Sequence, residues 1–239
     1  MEFYEKNEKS TEVKKKEDVK KFNSDHHTLY KTVVPAKQEV IDADNNTFKN
    51  IDSYSKYRMF VDSFMEFGNK LHDVYNELWN AKEKDELELR INSRGGLVNE
   101  GAQFYSIIKN KFNGRCTTVL DNCGYSMGAL TFCMGDKRVI TERADLMFHD
   151  YSGGAAGKGG EIESRNKHTQ VHIRKFFGEV ILNQGFLTKK EYNNMLIGQD
   201  FWMGAEELCK RGIATHVLYN GEEIKAKKYL KIIKSKWKN

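Results

Sequence analysis

Between residues 57 and 218, short segments with the two-residue period of a strand alternate with longer segments of helical period. Leu87, Leu89 and Ile91 alternate with charged residues, which predicts a strand with one buried face. An apolar stripe from Val98 to Phe112 predicts that a helix follows. Further strands are predicted at 57–61, 116–120, 138–140, 146–148 and 215–218. This alternation favours an α/β fold with crossover connections.

The other predicted helices differ in length. One is indicated by apolar residues at spacings of three and four, namely Phe64, Phe67, Leu71, Val74 and Leu78. A short helix is expected from about Ser126, a long one from about Glu161 to Asn183, one from Leu187 to Ile197 with Thr188 as N-cap, and one from Ala205 to Lys210.

Composition divides the chain into three regions. Residues 1–48 are expected to form a charged arm, disordered or loosely helical, of which Val33 and Val34 can dock as a strand. Residues 49–220 are expected to form one globular domain. Residues 221–239 contain seven lysines and two glutamates, which is typical of a solvated tail.

Charge and hydropathy exclude several classes of protein. The net charge of +5 equals that of the lysine-rich tail, 7 − 2 = +5, so the remainder is formally neutral and no nucleic-acid partner is expected. No apolar stretch approaches the roughly 20 residues that span a membrane, and the N-terminus lacks a signal-peptide core, so we expect a cytoplasmic protein.

No metal or cofactor is expected. The four cysteines form no C-x-x-C pair, and we expect reduced, mostly buried thiols. His168 and His172 have the four-residue spacing of helical metal ligands, but no third ligand lies near them in the sequence. Surface histidines are the better interpretation of this pair.

Two glycine-rich turns each connect a predicted strand to a predicted helix. In Ile91-Asn92-Ser93-Arg94-Gly95-Gly96, the paired glycines allow close backbone approach and leave N–H groups free to bind an anion, although a plain turn has the same letters. In Gly124-Tyr125-Ser126-Met127-Gly128-Ala129, small residues flank a serine, and a tight turn would expose its Oγ as a nucleophile.

A nucleophilic serine requires a base and a carboxylate that orients the base. His149 follows the predicted strand Leu146–Phe148 and precedes a glycine-rich loop at 152–157 that can lie beside a bound chain. Asp200 follows a predicted helix. Each is ambiguous alone, because a histidine at a strand end is commonly structural and an aspartate after a helix is commonly a cap.

Four runs in one order, I91-N-S-R-G-G, G124-Y-S-M-G-A, M147-F-H and D200-F-W-M-G-A-E-E, resemble the motifs of the ClpP family of self-compartmentalised serine peptidases. The resemblance covers about residues 55–220. It implies Ser126 as nucleophile, His149 as base and Asp200 as orienting acid, with the backbone N–H groups of Gly96 and Met127 as the oxyanion hole.

The resemblance also implies the architecture and partners of the family. These are a crotonase-like α/β fold of repeated strand–helix units, stacked heptameric rings around a chamber, polypeptide substrates, and a Clp-type ATPase that feeds unfolded chains. The segment from Gly153 through the helix near Glu161 is similar to the projecting handle that joins two rings. We expect its Ile162, Val171 and Phe176 to be exposed unless a neighbouring subunit covers them.

The chain departs from the family pattern at several positions. Arg94 replaces a proline, Asp150-Tyr151 replaces the usual residues after the histidine, and Gln199 stands where many members carry an arginine that pairs across rings. Glu88, Arg90 and Asn110 match positions that are often aromatic and receive an apolar ATPase loop. We therefore expect weak or absent docking of a standard Clp ATPase, unless Glu88 and Arg90 simply pair at the surface.

Other functions stay open at this point. An α/β-hydrolase esterase shares the G-x-S-x-G letters and would use Asp200 and His216 in the order Ser, acid, His, but too few strands precede the serine. A catalytically silent ring subunit or scaffold would have the same fold, although the chain retains all three triad residues. An acyl-CoA enzyme of the same fold superfamily would use the Gly96 cradle without a triad.

Overall fold

The computed structural model describes residues 19–24, 27–42, 47–64 and 71–236, with side chains described except at 38–50. Within these residues the chain forms twelve strands, seven α-helices and one π-helical turn. The fold is a mixed α/β fold, as the strand–helix alternation predicts. In this part of the chain, no helix is both long and apolar enough to cross a membrane.

Ten strands form one sheet in the order β1-β2-β5-β6-β7-β8-β11-β12, with β9 paired to β7 and β10 paired to β9 as a branch. β3 and β4 form a separate hairpin. The strands are β1 (Val19–Asn23), β2 (His27–Val34), β3 (Lys37–Asp42), β4 (Thr47–Ile51), β5 (Tyr54–Val61), β6 (Glu86–Ser93), β7 (Cys116–Tyr125), β8 (Lys137–Thr141), β9 (Asp145–Phe148), β10 (Phe201–Gly204), β11 (His216–Tyr219) and β12 (Glu222–Lys225).

Helices connect the parallel strands β5, β6, β7 and β8 and cover one face of the sheet. They are α1 (His72–Trp79), α2 (Val98–Lys111), α3 (Met127–Cys133), α4 (Gly159–Phe177), α5 (Lys189–Met195), α6 (Ala205–Lys210) and α7 (Ala226–Lys236). The π-helical turn, Gly178–Leu182, continues α4 directly.

The core lies between the helices and the covered face of the sheet. Strands β5 and β6 bury every second residue, as the alternation in 87–91 predicts. The largest fully buried side chains include six aromatic residues, namely Tyr57, Phe64, Phe104, Phe112, Phe132 and Phe148. Burial of each contributes about 1.5–3 kcal/mol, so this layer is a principal source of the stability that holds the strand ends in place.

The first predicted helix is shorter than its periodicity suggests. α1 begins at His72 and buries Val74 and Leu78, whereas Phe64 forms an isolated β-bridge with Gly96. Phe67 lies outside the described residues. Phe64 is fully buried beside Phe104, with ring centroids 6.2 Å apart. Phe64 therefore fits the periodicity of α1 because it packs in the same core, although it is not part of the helix.

Part of the expected arm forms strands of the main sheet, at Val19–Asn23 and His27–Val34. β2 pairs antiparallel with β5 over its whole length, and β1 pairs with β2. His27 and Leu29 of β2 are buried. Lys31 of the same strand donates a hydrogen bond to Glu77 on α1 at 2.7 Å. The lysines of this segment hide its strand period, which is why composition alone indicates an arm.

The lysine-rich C-terminal region is also folded as far as Lys236. β12 pairs antiparallel with β11, and α7 buries Ala226 and Tyr229 against the body while its lysines face outward. The expectation of a solvated tail is therefore wrong for residues 222–236. The apolar residues among its lysines form one buried or half-buried face of α7.

The long helix α4 leaves the body along most of its length. Residues 159–172 are mostly exposed, and Val171 is 66% exposed, as predicted. Phe176 is buried, contrary to expectation, because its ring packs beside Tyr105 with centroids 5.5 Å apart. His168 and His172 are exposed on the same helix, with parallel rings 6.2 Å apart. Only the last turn of α4 therefore belongs to the core.

Candidate active site

Ser126 occupies a strained turn between β7 and α3. Its φ of 55° and ψ of −123° lie outside the regions that ordinary residues populate. Backbone hydrogen bonds hold this conformation: the Ser126 N–H donates to the Met147 carbonyl at 3.0 Å, and the Ser126 carbonyl accepts from the Ala129 N–H at 3.0 Å. The fold thus maintains an unfavourable backbone conformation at the residue whose hydroxyl is the candidate nucleophile.

The glycines around Ser126 permit close approach of two backbone segments. A Cβ at Gly95, which has φ +103°, would lie 2.6 Å from the Cβ of Ser126. A Cβ at Gly128 would lie 2.7 Å from the Ser93 carbonyl oxygen. The two glycine-rich turns therefore pack against each other, which the sequence does not reveal when each motif is read alone.

Gly96 and Met127 have backbone N–H groups that donate to no other described residue. The neighbours of Gly96 are engaged, because the Gly95 carbonyl accepts from Phe64 at 2.9 Å and the Leu97 N–H donates to Phe64 at 2.8 Å. Met127 is the first residue of α3. Gly96 and Met127 border the same cavity as Ser126, and two unused donors at one cavity provide what an oxyanion hole requires.

His149 lies at the same edge of the sheet as Ser126. β9 runs parallel to β7 with Met147 opposite Tyr125, so His149 follows the end of β9 where Ser126 follows the end of β7. The Ser126–Met147 hydrogen bond fixes this relationship. Residues 23 positions apart in the sequence are thereby brought together, and both are half-buried.

Asp200 precedes β10, which pairs antiparallel with β9. Phe201 is opposite Phe148, so Asp200 and His149 are the next residues outward along the two strands. Asp200 is exposed, and among the described residues no hydrogen bond directly joins the side chains of Ser126, His149 and Asp200. In free enzymes such hydrogen bonds are often long and shorten only when substrate binds.

A cavity of about 50 Å³ lies beside Ser126. It brings together four of the five residues predicted from the sequence, namely Ser126, His149, Gly96 and Met127. Its remaining lining is formed by Val98, Leu130, Phe148, Asp150, Tyr151, Ser152, Phe177 and Ile181. Of these, the sequence indicated only Ser152, through the loop at 152–157 that can lie beside a bound chain. It did not indicate the helical residues, because helical periodicity predicts burial without showing which space a side chain borders.

The buried cysteines do not offer an alternative nucleophile. Burial raises the pKa of Cys133 to about 12 and that of Cys209 to about 11, and it also raises the pKa of Cys116. A thiolate is the reactive form of cysteine, so these thiols are inert near neutral pH. Cys123 is half-buried, with its Sγ 3.2 Å from Asn92 Oδ1.

His216 lies far from Ser126 along the sheet. It begins β11, where it is opposite Val139 of β8, and Val139 is opposite Val119 of β7. Ser126 follows Val119 by seven residues, which corresponds to roughly 23 Å along a strand. Its Nδ1 is 2.9 Å from the Thr215 hydroxyl. This placement argues against the Ser126–Asp200–His216 triad of an α/β-hydrolase.

Comparison with known families agrees with the fold and with the order of the motifs. The family model described as Clp protease matches residues 59–221, which is more than half of the chain. The match begins within β5 and ends just before β12, so it includes the three strand ends that carry Ser126, His149 and Asp200. The chain belongs to the Clp protease family.

Proposed function

We propose that this chain is a serine endopeptidase of the ClpP type, in which Ser126 attacks the peptide carbonyl. The observation that carries the proposal is the strained backbone at Ser126, which Met147 holds at a cavity shared with His149 and two unused N–H donors. Backbone strain of this kind is concentrated at functional sites. Family membership supports a peptidase in general, and the site residues and their roles are our proposal.

In the proposed reaction, His149 removes the proton from Ser126 Oγ as Oγ bonds to the substrate carbonyl carbon. The carbonyl electrons move onto oxygen, and the Gly96 and Met127 N–H groups stabilise the negative charge. Protonated His149 then gives its proton to the leaving amine. Water, activated by His149, hydrolyses the acyl-enzyme and restores Ser126.

Asp200 has a supporting role in this scheme. A carboxylate opposite the imidazole holds it in the required tautomer and stabilises its protonated form. The antiparallel register of β9 and β10 supports this assignment, since it brings the two residues to adjacent positions. Exposure of Asp200 is compatible with a site that closes around the substrate or against a neighbouring subunit.

Family membership supports self-association in general, and we propose stacked heptameric rings that enclose the sites. The exposed part of α4 supports the idea that this helix contacts a second subunit. Unfolded polypeptides are the proposed substrates. Sedimentation at micromolar concentration is expected to show a large oligomer, and a species of 27.7 kDa alone would contradict the proposed assembly.

The proposal is tested by hydrolysis of fluorogenic peptides. Ser126→Ala and His149→Ala should each lower turnover by several orders of magnitude, because triad residues act as a unit. Ser106→Ala is the matched control, since Ser106 is exposed on α2 and its Oγ donates to Ala102. Turnover by Ser126→Ala and His149→Ala equal to that of Ser106→Ala would contradict the proposed triad, whereas no turnover by the wild type would favour a silent ring subunit.

A further inference from the structure

We infer that the cavity beside Ser126 selects substrates with a small aliphatic residue at P1, the residue whose carbonyl is attacked. This inference rests on the proposed function of Ser126. The cavity contains the nucleophile, the base and both candidate oxyanion donors in its wall. The P1 side chain lies next to the attacked carbonyl, so a cavity whose wall includes the nucleophile is within its reach.

Several residues that line the cavity favour an apolar P1 side chain. Leu130, Phe148, Phe177 and Ile181 are each less than 5% exposed, and Val98 is half-buried. Asp150 is half-buried, and its Oδ1 accepts a hydrogen bond from the Tyr151 N–H at 2.9 Å. These apolar side chains form part of the cavity wall, and they favour an aliphatic P1 side chain over a charged one.

The size of the cavity restricts that guest further. An apolar cavity of about 150 Å³ accepts a benzene ring, and one water molecule occupies about 30 Å³ in the liquid. The cavity beside Ser126 measures about 50 Å³. It has space for the side chain of alanine and at most that of valine, whereas leucine, methionine or phenylalanine would require the wall to move.

The π-helical turn limits the cavity at one side. The Asn183 N–H donates to the Gly178 carbonyl at 2.9 Å, and the Phe186 N–H donates to the Ile181 carbonyl at 3.1 Å, both across five residues. Phe177 and Ile181 flank the start and end of this widened turn and both border the cavity. π-Helical turns occur frequently at functional sites. These two side chains are therefore the specificity-determining residues in our proposal.

The inference is tested with acetyl-tripeptide aminomethylcoumarins that differ only in alanine, leucine or phenylalanine at P1. The expected kcat/KM for alanine exceeds that for leucine and for phenylalanine by about tenfold or more. Ile181→Ala, which enlarges the cavity, is expected to raise the leucine-to-alanine ratio by about tenfold. Ile181→Val removes one methyl group and provides the smaller change if the alanine variant does not fold.

Val180→Ala is the matched control. Val180 is 2% exposed on the same π-helical turn but borders a different cavity, so its truncation should leave the P1 ratio unchanged. Preference of the wild type for leucine or phenylalanine, or an unchanged ratio in both Ile181 variants, would overturn the inference while leaving the peptidase intact. If no peptide is cleaved and a fluorophosphonate does not label Ser126, the proposed function itself fails, and the inference with it.

Discussion

Asp200 and His149 are adjacent across the antiparallel pair β9–β10, one residue beyond the pairing of Phe201 with Phe148. Among the described strands, the branch that contains this pair joins the main sheet through β7 alone, the strand that leads into Ser126. The proposed acid, base and nucleophile are therefore positioned by three consecutive neighbours in one sheet. The proposed roles of all three residues depend on this branch being intact.

Asp200→Asn is expected to lower kcat by orders of magnitude, because the amide neither stabilises a protonated His149 nor fixes its tautomer. The fold should be unaffected, since Asp200 is exposed and its replacement has the same shape. Asp73→Asn, at an exposed position on α1, is the control. Peptide hydrolysis by Asp200→Asn at the wild-type rate would show that Asp200 has no role in catalysis.

The two histidines should differ sharply. His149→Ala is expected to abolish turnover, whereas His216→Ala should keep it, because β7, β8 and β11 place His216 far from Ser126. Turnover that depends on His216 but not on His149 would contradict the assignment of the base.

The carboxylate of Glu191 should make the free energy of unfolding depend on pH in acid solution. It completes the capping box of α5 with Thr188, and its Oε1 accepts from Arg211 Nη2 at 2.8 Å. Hydrogen bonds from Arg211, and then from the Thr188 N–H, lower its pKa to about 2 from 4.5. Because this pKa is lower in the folded state than in the unfolded state, ionised Glu191 adds to the free energy of unfolding at any pH above about 4.5. That contribution is lost as the pH falls from 4.5 towards about 2.

Urea denaturation of Glu191→Gln is therefore expected to show a loss of about 1 kcal/mol at pH 7, a modest value because the ion pair is partly exposed. The difference from the wild type should shrink below pH 4.5. Glu206→Gln breaks the exposed ion pair with Lys210 and should cost measurably less, because solvent screens that pair. Equal losses in the two variants at pH 7 would contradict the special role of Glu191.

Docking of an apolar ATPase loop should be weak. On the open face of the sheet, Arg58 donates to Glu88 at 2.6 Å and Arg90 Nε donates to Asp121 at 3.0 Å. Both ion pairs would have to be desolvated beneath an apolar loop, and such desolvation can exceed the gain from burying the loop. Titration of a bacterial Clp ATPase at physiological salt should show binding weaker than micromolar.

Replacing the pair, in Arg58→Leu/Glu88→Leu, should tighten that binding, whereas Lys56→Leu/Glu86→Leu replaces a neighbouring pair as a control for general hydrophobicity. Sub-micromolar binding by the wild type, lost when the apolar loop of the ATPase is deleted, would show that these charges do not restrict docking.

Local patterns predicted those elements whose signals lie within the element itself. The Thr188 N-cap is confirmed because a capping box depends on residues three apart, and β6 is confirmed because its alternation from Leu87 to Ile91 reports one buried face. β10 was not predicted, because Phe201–Gly204 does not alternate and forms only by pairing with the distant β9. β1 was not predicted as a sheet strand, because its lysines resemble a solvated arm. Of β2, only the end at Val33 and Val34 was predicted to dock as a strand, and its pairing with β5 confirms that prediction.

The candidate site shows the same division. Motifs identified Ser126, His149 and Asp200, but their proximity depends on the β7–β9–β10 branch, which no local pattern reveals. The cavity walls were missed for a related reason. Phe177 and Ile181 fit a buried helical stripe, and only the packed structure shows that they border the space beside Ser126.

The central claim is that Ser126 is the nucleophile, and covalent labelling tests it most directly. The protein is treated with a fluorophosphonate, digested, and the modified peptide is located by mass spectrometry, with Ser126→Ala and Ser106→Ala treated in parallel. We expect one adduct on Ser126 in the wild type and in Ser106→Ala, and none in Ser126→Ala. An adduct on another residue that persists in Ser126→Ala, together with undiminished peptide hydrolysis, would contradict the claim.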